Sequence, residues 1–161
     1  MGGIRIAAMF RNLLSRLFAE DPAAAPLAAH DAEVAIAALL VRLARADHRY
    51  RDSERELIDR ILAQRRGLDP QQAAERRAAA EMIEAEAPDT VRFTRLVKER
   101  IALEDRSGVI AAMWQLAHAD GERDPEEEAF IRLVAGLLGI ADRDSALIRQ
   151  RVLNTRGAEE G

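Results

Sequence analysis

The sequence predicts an all-α protein, a compact bundle of about seven to eight helices with an internal pseudo-two-fold repeat. Three observations carry that expectation. Ala, Leu, Arg and Glu dominate and aromatic residues make up only 4%, so strong helix formers meet few β-branched or aromatic competitors. Apolar residues recur at helical spacing between recognisable caps, and no useful segment alternates with period two. Finally, Leu43-Ala44-Arg45-Ala46-Asp47 returns as Leu116-Ala117-His118-Ala119-Asp120, and at the same offset Glu54, Leu57 and Ile58 meet Glu127, Phe130 and Ile131. A long unit present twice reads as a duplicated helix–loop–helix rather than a stacked array.

The elements follow in order. Residues 1–20 form an amphipathic stretch in which Ile6, Met9, Phe10, Leu13, Leu14, Leu17 and Phe18 share a stripe opposite Arg5, Arg11 and Arg16. This stripe reads as a first core helix or as a basic helix, Ile4 to Phe18, that touches a membrane surface or a partner. Met9 is an alternative start. Residues 21–30, with Pro22 and Pro26, read as a linker. The main domain spans 31–154. Asp31 opens a helix to Ala46 with Val34, Ile36, Leu39, Leu40 and Leu43 inward. Ser53 and Glu56 have capping-box spacing, and Gly67 ends that helix. Asp69-Pro70-Gln71-Gln72 starts the next helix, which runs to about Glu86 before Pro88. Asp89 or Thr90 starts a helix with Val91, Phe93, Leu96, Val97 and Ile101 inward. The chain turns near Glu104 to Gly108 and continues as a helix with Val109, Ile110, Met113, Trp114 and Leu116 inward. Asp124-Pro125-Glu126-Glu127 is a capping box for a helix lined by Phe130, Ile131, Val134, Leu137 and Leu138 and stopped by Gly139. Asp142 caps a last helix with Leu147, Ile148 and Val152, and residues 155–161 are a polar tail.

Composition excludes several functions. There are no cysteines, hence no disulfides, thiolate nucleophiles or cysteine zinc sites. A net charge of −4 argues against a general nucleic-acid binder. No uncharged apolar run is long enough to span a bilayer. No serine stands in a nucleophile elbow and no glycine-rich phosphate loop occurs. Glu84 and Glu86 read as a solvated face, His48 as a loop residue, His118 as a helix-face residue and Trp114 as core packing.

The two Ala-Asp motifs, Leu43-Ala44-Arg45-Ala46-Asp47 with Glu54 and Ala119-Asp120-Gly121-Glu122 with Asp124 and Glu127, resemble those of the TerB-like, tellurite-resistance-associated helical domains. The stretch Glu86-Ala87-Pro88-Asp89-Thr90-Val91-Arg92-Phe93-Thr94 is similar to that family's middle helix pair, and the resemblance covers about Glu33 to Val152. It implies a helical bundle without enzymatic activity, a cytoplasmic stress-response setting and metal binding by the paired acidic residues; the Ile4 to Phe18 stripe adds an expected contact at the inner face of the membrane, and the module is expected to mediate interactions with a protein partner that the sequence does not name. The first motif departs from the family pattern, with His48, Arg49 and Arg51 where glycine, acidic or small residues stand.

On chemistry alone, Asp120, Glu122 and Asp124 alternate across a turning loop and Glu127 follows one helical turn later. Such carboxylates build oxygen cages for hard cations, Ca²⁺, Mg²⁺ or Mn²⁺. The same acids equally serve as helix caps. Two cation arrangements stand open: a site within the second loop alone, or one shared with Asp47 and Glu54. A self-contained site in the first loop is not expected, because guanidiniums at Arg49 and Arg51 repel a cation, and the local second-loop site is favoured because Asp120, Glu122 and Asp124 already supply three carboxylates. A metal-free interaction scaffold and a metal-dependent hydrolase are the rival functions.

Overall fold

The computed structural model describes residues 29–86 and 89–160. The expected amphipathic stretch at residues 1–20, residues 21–28 of the expected 21–30 linker and the helix-breaking Pro88 lie outside them, while residues 29 and 30 already belong to the first described helix. Among the described residues there are seven α-helices and no strand: α1 (Ala29–Ala44), α2 (Asp52–Arg66), α3 (Pro70–Glu86), α4 (Thr90–Arg100), α5 (Arg106–Ala117), α6 (Pro125–Leu137) and α7 (Asp142–Glu160). Short 3-10 turns at Arg45–Asp47 and Leu103–Asp105 follow α1 and precede α5.

α1 is the hub. Every residue from Asp31 to Val41 is buried, because this helix has no polar face: small Ala32, Ala35, Ala37 and Ala38 separate large Ile36, Leu39 and Leu40. A helix apolar all round must be enclosed, and the alanines let neighbouring axes come close. α2, α3, α4, α5 and α6 all pack on it, with α3 and α4 making the most extensive contact. α7 closes the bundle from outside by packing on α5 and α6.

Charges near the ends of this helix are neutralised rather than left in the core. Glu33 is buried and receives Arg65 Nε and Nη2, both at 3.2 Å, and Arg66 Nε at 2.8 Å. Burial pushes its carboxyl up, but the Arg65 and Arg66 guanidiniums outweigh that and hold it below the usual carboxylate range. At the other end, Arg42 donates to Glu84 Oε1 at 3.1 Å and to Thr90 Oγ1 at 3.3 Å, and Arg45 also pairs with Glu84. Glu84 is therefore not the solvated residue the sequence suggests; it is a half-buried acceptor joining α1 to α3. Arg106 joins two helix ends, donating to Ile101 O and Lys98 O at the end of α4 and to Leu138 O at the end of α6.

Several expected boundaries hold, and others shift. Asp69 and Gln72 form the reciprocal box, with Gln72 N donating to Asp69 Oδ1 at 2.7 Å and Asp69 N to Gln72 Oε1 at 3.0 Å. Asp89 caps α4 through Arg92 N, and Gly67 and Gly139 end α2 and α6 with φ of +62° and +81°. The box expected from Ser53 and Glu56 does not form. α2 starts two residues earlier, with Arg51 as its N-cap, and Glu54 instead accepts the Arg51 N–H at 3.1 Å. Asp142 lies in the first turn of α7 rather than at its cap. Val91 and Leu147, expected inward, are 45% and 48% exposed. α7 also runs past Asn154 to Glu160, with Arg156 reaching back to donate to Ala119 O.

Candidate metal centre

The two helix–loop–helix units use the same local turn. Asp47 Oδ1 accepts the Arg49 N–H at 2.9 Å, and Asp120 Oδ1 accepts the Glu122 N–H at 2.9 Å. The residue after each aspartate has positive φ, +62° at His48 and +78° at Gly121. Each loop then enters a helix whose third residue is an acid, Glu54 in α2 and Glu127 in α6. Left-handed backbone suits Gly121 and strains His48.

Asp124 is the N-cap of α6 and accepts from Glu126 N at 2.8 Å and Glu127 N at 3.2 Å, with Pro125 in the first turn. The reciprocal bond expected of a capping box is not made, among the described residues, by the Glu127 carboxylate. That carboxylate lies instead among acids from both loops. The 3-10 turn carrying Asp47 packs against α6, so one oxygen each of Asp47, Asp124 and Glu127 falls within 4.8 Å of the others. All three side chains are half-buried.

The electrostatics report the crowding. Burial, then Asp124, Asp47, Glu54 and Asp120, push the Glu127 carboxyl up to about 8. Glu54 is also raised, first by burial and further by Asp47 and Asp120, against the lowering effect of the Arg51 N–H. Five of the six acids predicted from sequence therefore act on one another. Glu122 does not join them: it is exposed, and its backbone rather than its carboxylate serves the loop. Asp120 is exposed, is engaged in its own turn and stands outside the close triad.

Arg49 and Arg51 are exposed and give their backbone N–H groups to Asp47 and Glu54, and the Arg51 charge also acts to lower the Glu54 carboxyl. The neighbouring Tyr50 ring lies between Arg45 and Arg55, with guanidinium carbons 5.1 and 4.6 Å from its centroid. Behind the second loop, sequence reasoning missed a second polar cluster. His118 is buried rather than on an open helix face, stacks on Trp114 at 5.5 Å and accepts Arg149 Nε at 2.9 Å through Nε2. Burial, then Arg149, lower its pKa. Glu128 takes up Arg123 at 2.8 and 3.2 Å. A helical period places His118 next to Trp114, but nothing in the sequence signals that Arg149 reaches it from α7.

Three carboxylates with only oxygen donors fit a hard divalent cation. A family model described as tellurite resistance protein TerB matches residues 33–150. No curated protein and no solved structure matches the chain.

Proposed function

Because the chain belongs to the TerB family, we propose that it is a tellurite-resistance-associated module that holds one divalent cation between its two acidic loops and presents the resulting surface to a protein partner. The observation that supports this reading is the convergence of Asp47, Asp124 and Glu127 from separate loops on a space within 4.8 Å. It favours the shared arrangement over a site confined to Asp120, Glu122 and Asp124. Glu127 supplies the most responsive ligand, since a carboxyl raised to about 8 exchanges its proton for a cation near neutral pH. Asp47 and Asp124 each have one oxygen committed to backbone N–H groups, which fixes their orientation before any ion arrives. Glu54 and Asp120 add negative potential from the rim.

The module is proposed to be non-enzymatic and to act in the cytoplasm; no described helix is long and apolar enough to cross a membrane. Calorimetric titration of chelator-treated protein with Ca²⁺, Mg²⁺ and Mn²⁺ tests the cation. One ion per chain is expected, with binding lost in Asp47→Asn. Binding unchanged by Asp47→Asn returns the site to the second loop alone, and no binding of any of the three ions refutes the reading. A metal-free scaffold is the second reading, supported by the cap that Asp124 already makes on α6.

A further inference from the structure

A cleft of about 730 Å³ opens between α2, α5 and α7, in the size range of small-molecule sites, roughly 300–1,000 Å³. On the α5 side its lining includes the small residues Ser107, Gly108 and Ala111. Leu57 from one side and Ile148 and Val152 from the other supply apolar walls. The rest of the lining is unusual for this chain. The protein carries 28 acidic residues and a net charge of −4, yet among the described residues no Asp or Glu lines the cleft, while Arg60, Arg151 and Arg156 do.

Two of those arginines are uncommitted. Arg60 and Arg151 are exposed and make no ion pair or side-chain hydrogen bond among the described residues. Both project from the faces that also carry Leu57 and Val152, so a guanidinium stands beside apolar surface on each bank. Apolar walls with a few convergent polar groups are what orient a bound small molecule, and guanidiniums hold carboxylate and phosphate through paired N–H donors.

We propose that this cleft binds a small amphiphilic anion, an alkyl body ending in a carboxylate or phosphate, with the body along Leu57, Ile148 and Val152 and the head group on Arg60 and Arg151. The site is separate from the acidic triad and does not require the cation.

The test is calorimetric titration of the full chain, with chelator present and below the concentration at which the probes form micelles. Decanoate and decyl phosphate are the two anionic probes, which separate the two possible head groups. Decan-1-ol supplies the body without charge, and acetate and inorganic phosphate supply the heads without the body. Saturable binding of at least one anionic probe is expected, with decan-1-ol and the bare heads weaker by about tenfold or more. The exposed pair R60Q/R151Q should weaken the anion by a similar factor and leave the melting curve in place. Decan-1-ol binding as tightly as both anions, an unaffected R60Q/R151Q, or no saturable binding of either anion overturns the proposal. The comparison of anion with alcohol on the unaltered chain stands even if the double variant folds poorly.

Discussion

Replacing Glu127 by Gln should make the metal-free protein more stable at alkaline pH while removing its response to cations. The carboxyl is raised from 4.5 to about 8 in the folded chain. Between those values the folded protein keeps a proton that the unfolded chain has released, so stability is fully present at the acidic end and is lost as pH rises through about 8. At about 1.4 kcal/mol per pH unit, full conversion gives nearly 5 kcal/mol. The side chain is only half-buried, and solvent screening brings the expected effect down to ~1–2 kcal/mol. For a domain of this size that is a melting difference of about 2–8 °C. Melting curves of chelator-treated protein from pH 5 to 9 should therefore fall for the wild type and stay flatter for E127Q, the two meeting near pH 5. With cation at about 100 times its dissociation constant the order reverses, since the wild type gains about 2.7 kcal/mol and E127Q gains nothing. Parallel pH curves for the two proteins would refute the electrostatic account of the triad. A cation that stabilises both equally would refute the role of Glu127 as ligand.

Three further outcomes follow from the bundle. Glu33→Ala leaves Arg65 without its buried partner and should cost about 3 kcal/mol in chemical denaturation; because the Glu33 carboxyl lies below its ordinary range, the wild type should lose this contribution only as pH falls through that lowered value. His48→Gly relieves the positive φ of +62° and, after the added freedom of the unfolded chain, should raise stability by up to ~1 kcal/mol in thermal melts; a loss would mean that the His48 ring contributes contacts. Ser145→Ala removes the acceptor that lies 3.2 Å from Trp114 Nε1 in the core and should cost ~1–2 kcal/mol with a change in tryptophan fluorescence.

The helices were legible because their signals are local. Asp69 with Gln72, Asp89, Asp124, Gly67 and Gly139 each act within a few residues of their own position, and each does what its type suggests. Failures arose where a distant group decides the outcome. Ser53 is the local exception, losing the start of α2 to a competing box in which Arg51 is the N-cap and Glu54 accepts its N–H. Glu84 looked solvated until Arg42 and Arg45 arrived from α1. The acidic residues of the candidate site were all visible in the sequence, and the repeat offered a site shared between the loops beside a local one. What spacing could not supply was the choice between them, because it depends on how the Arg45–Asp47 turn packs against α6, which brings Asp47 close to Asp124 and Glu127.

The enclosure of α1 has a consequence for how this sequence can drift. A helix lying on a protein surface has one side where substitutions are absorbed, so its tolerance to change rises and falls every three to four residues. From Asp31 to Val41 no such side exists. Alanines there are as constrained as leucines, because each added methylene must displace one of five surrounding helices. A saturation scan of this segment should show a flat floor of intolerance with no helical rhythm, while α2, with Arg60 and Gln64 exposed and Ile58, Ile61 and Leu62 buried, should show that rhythm clearly.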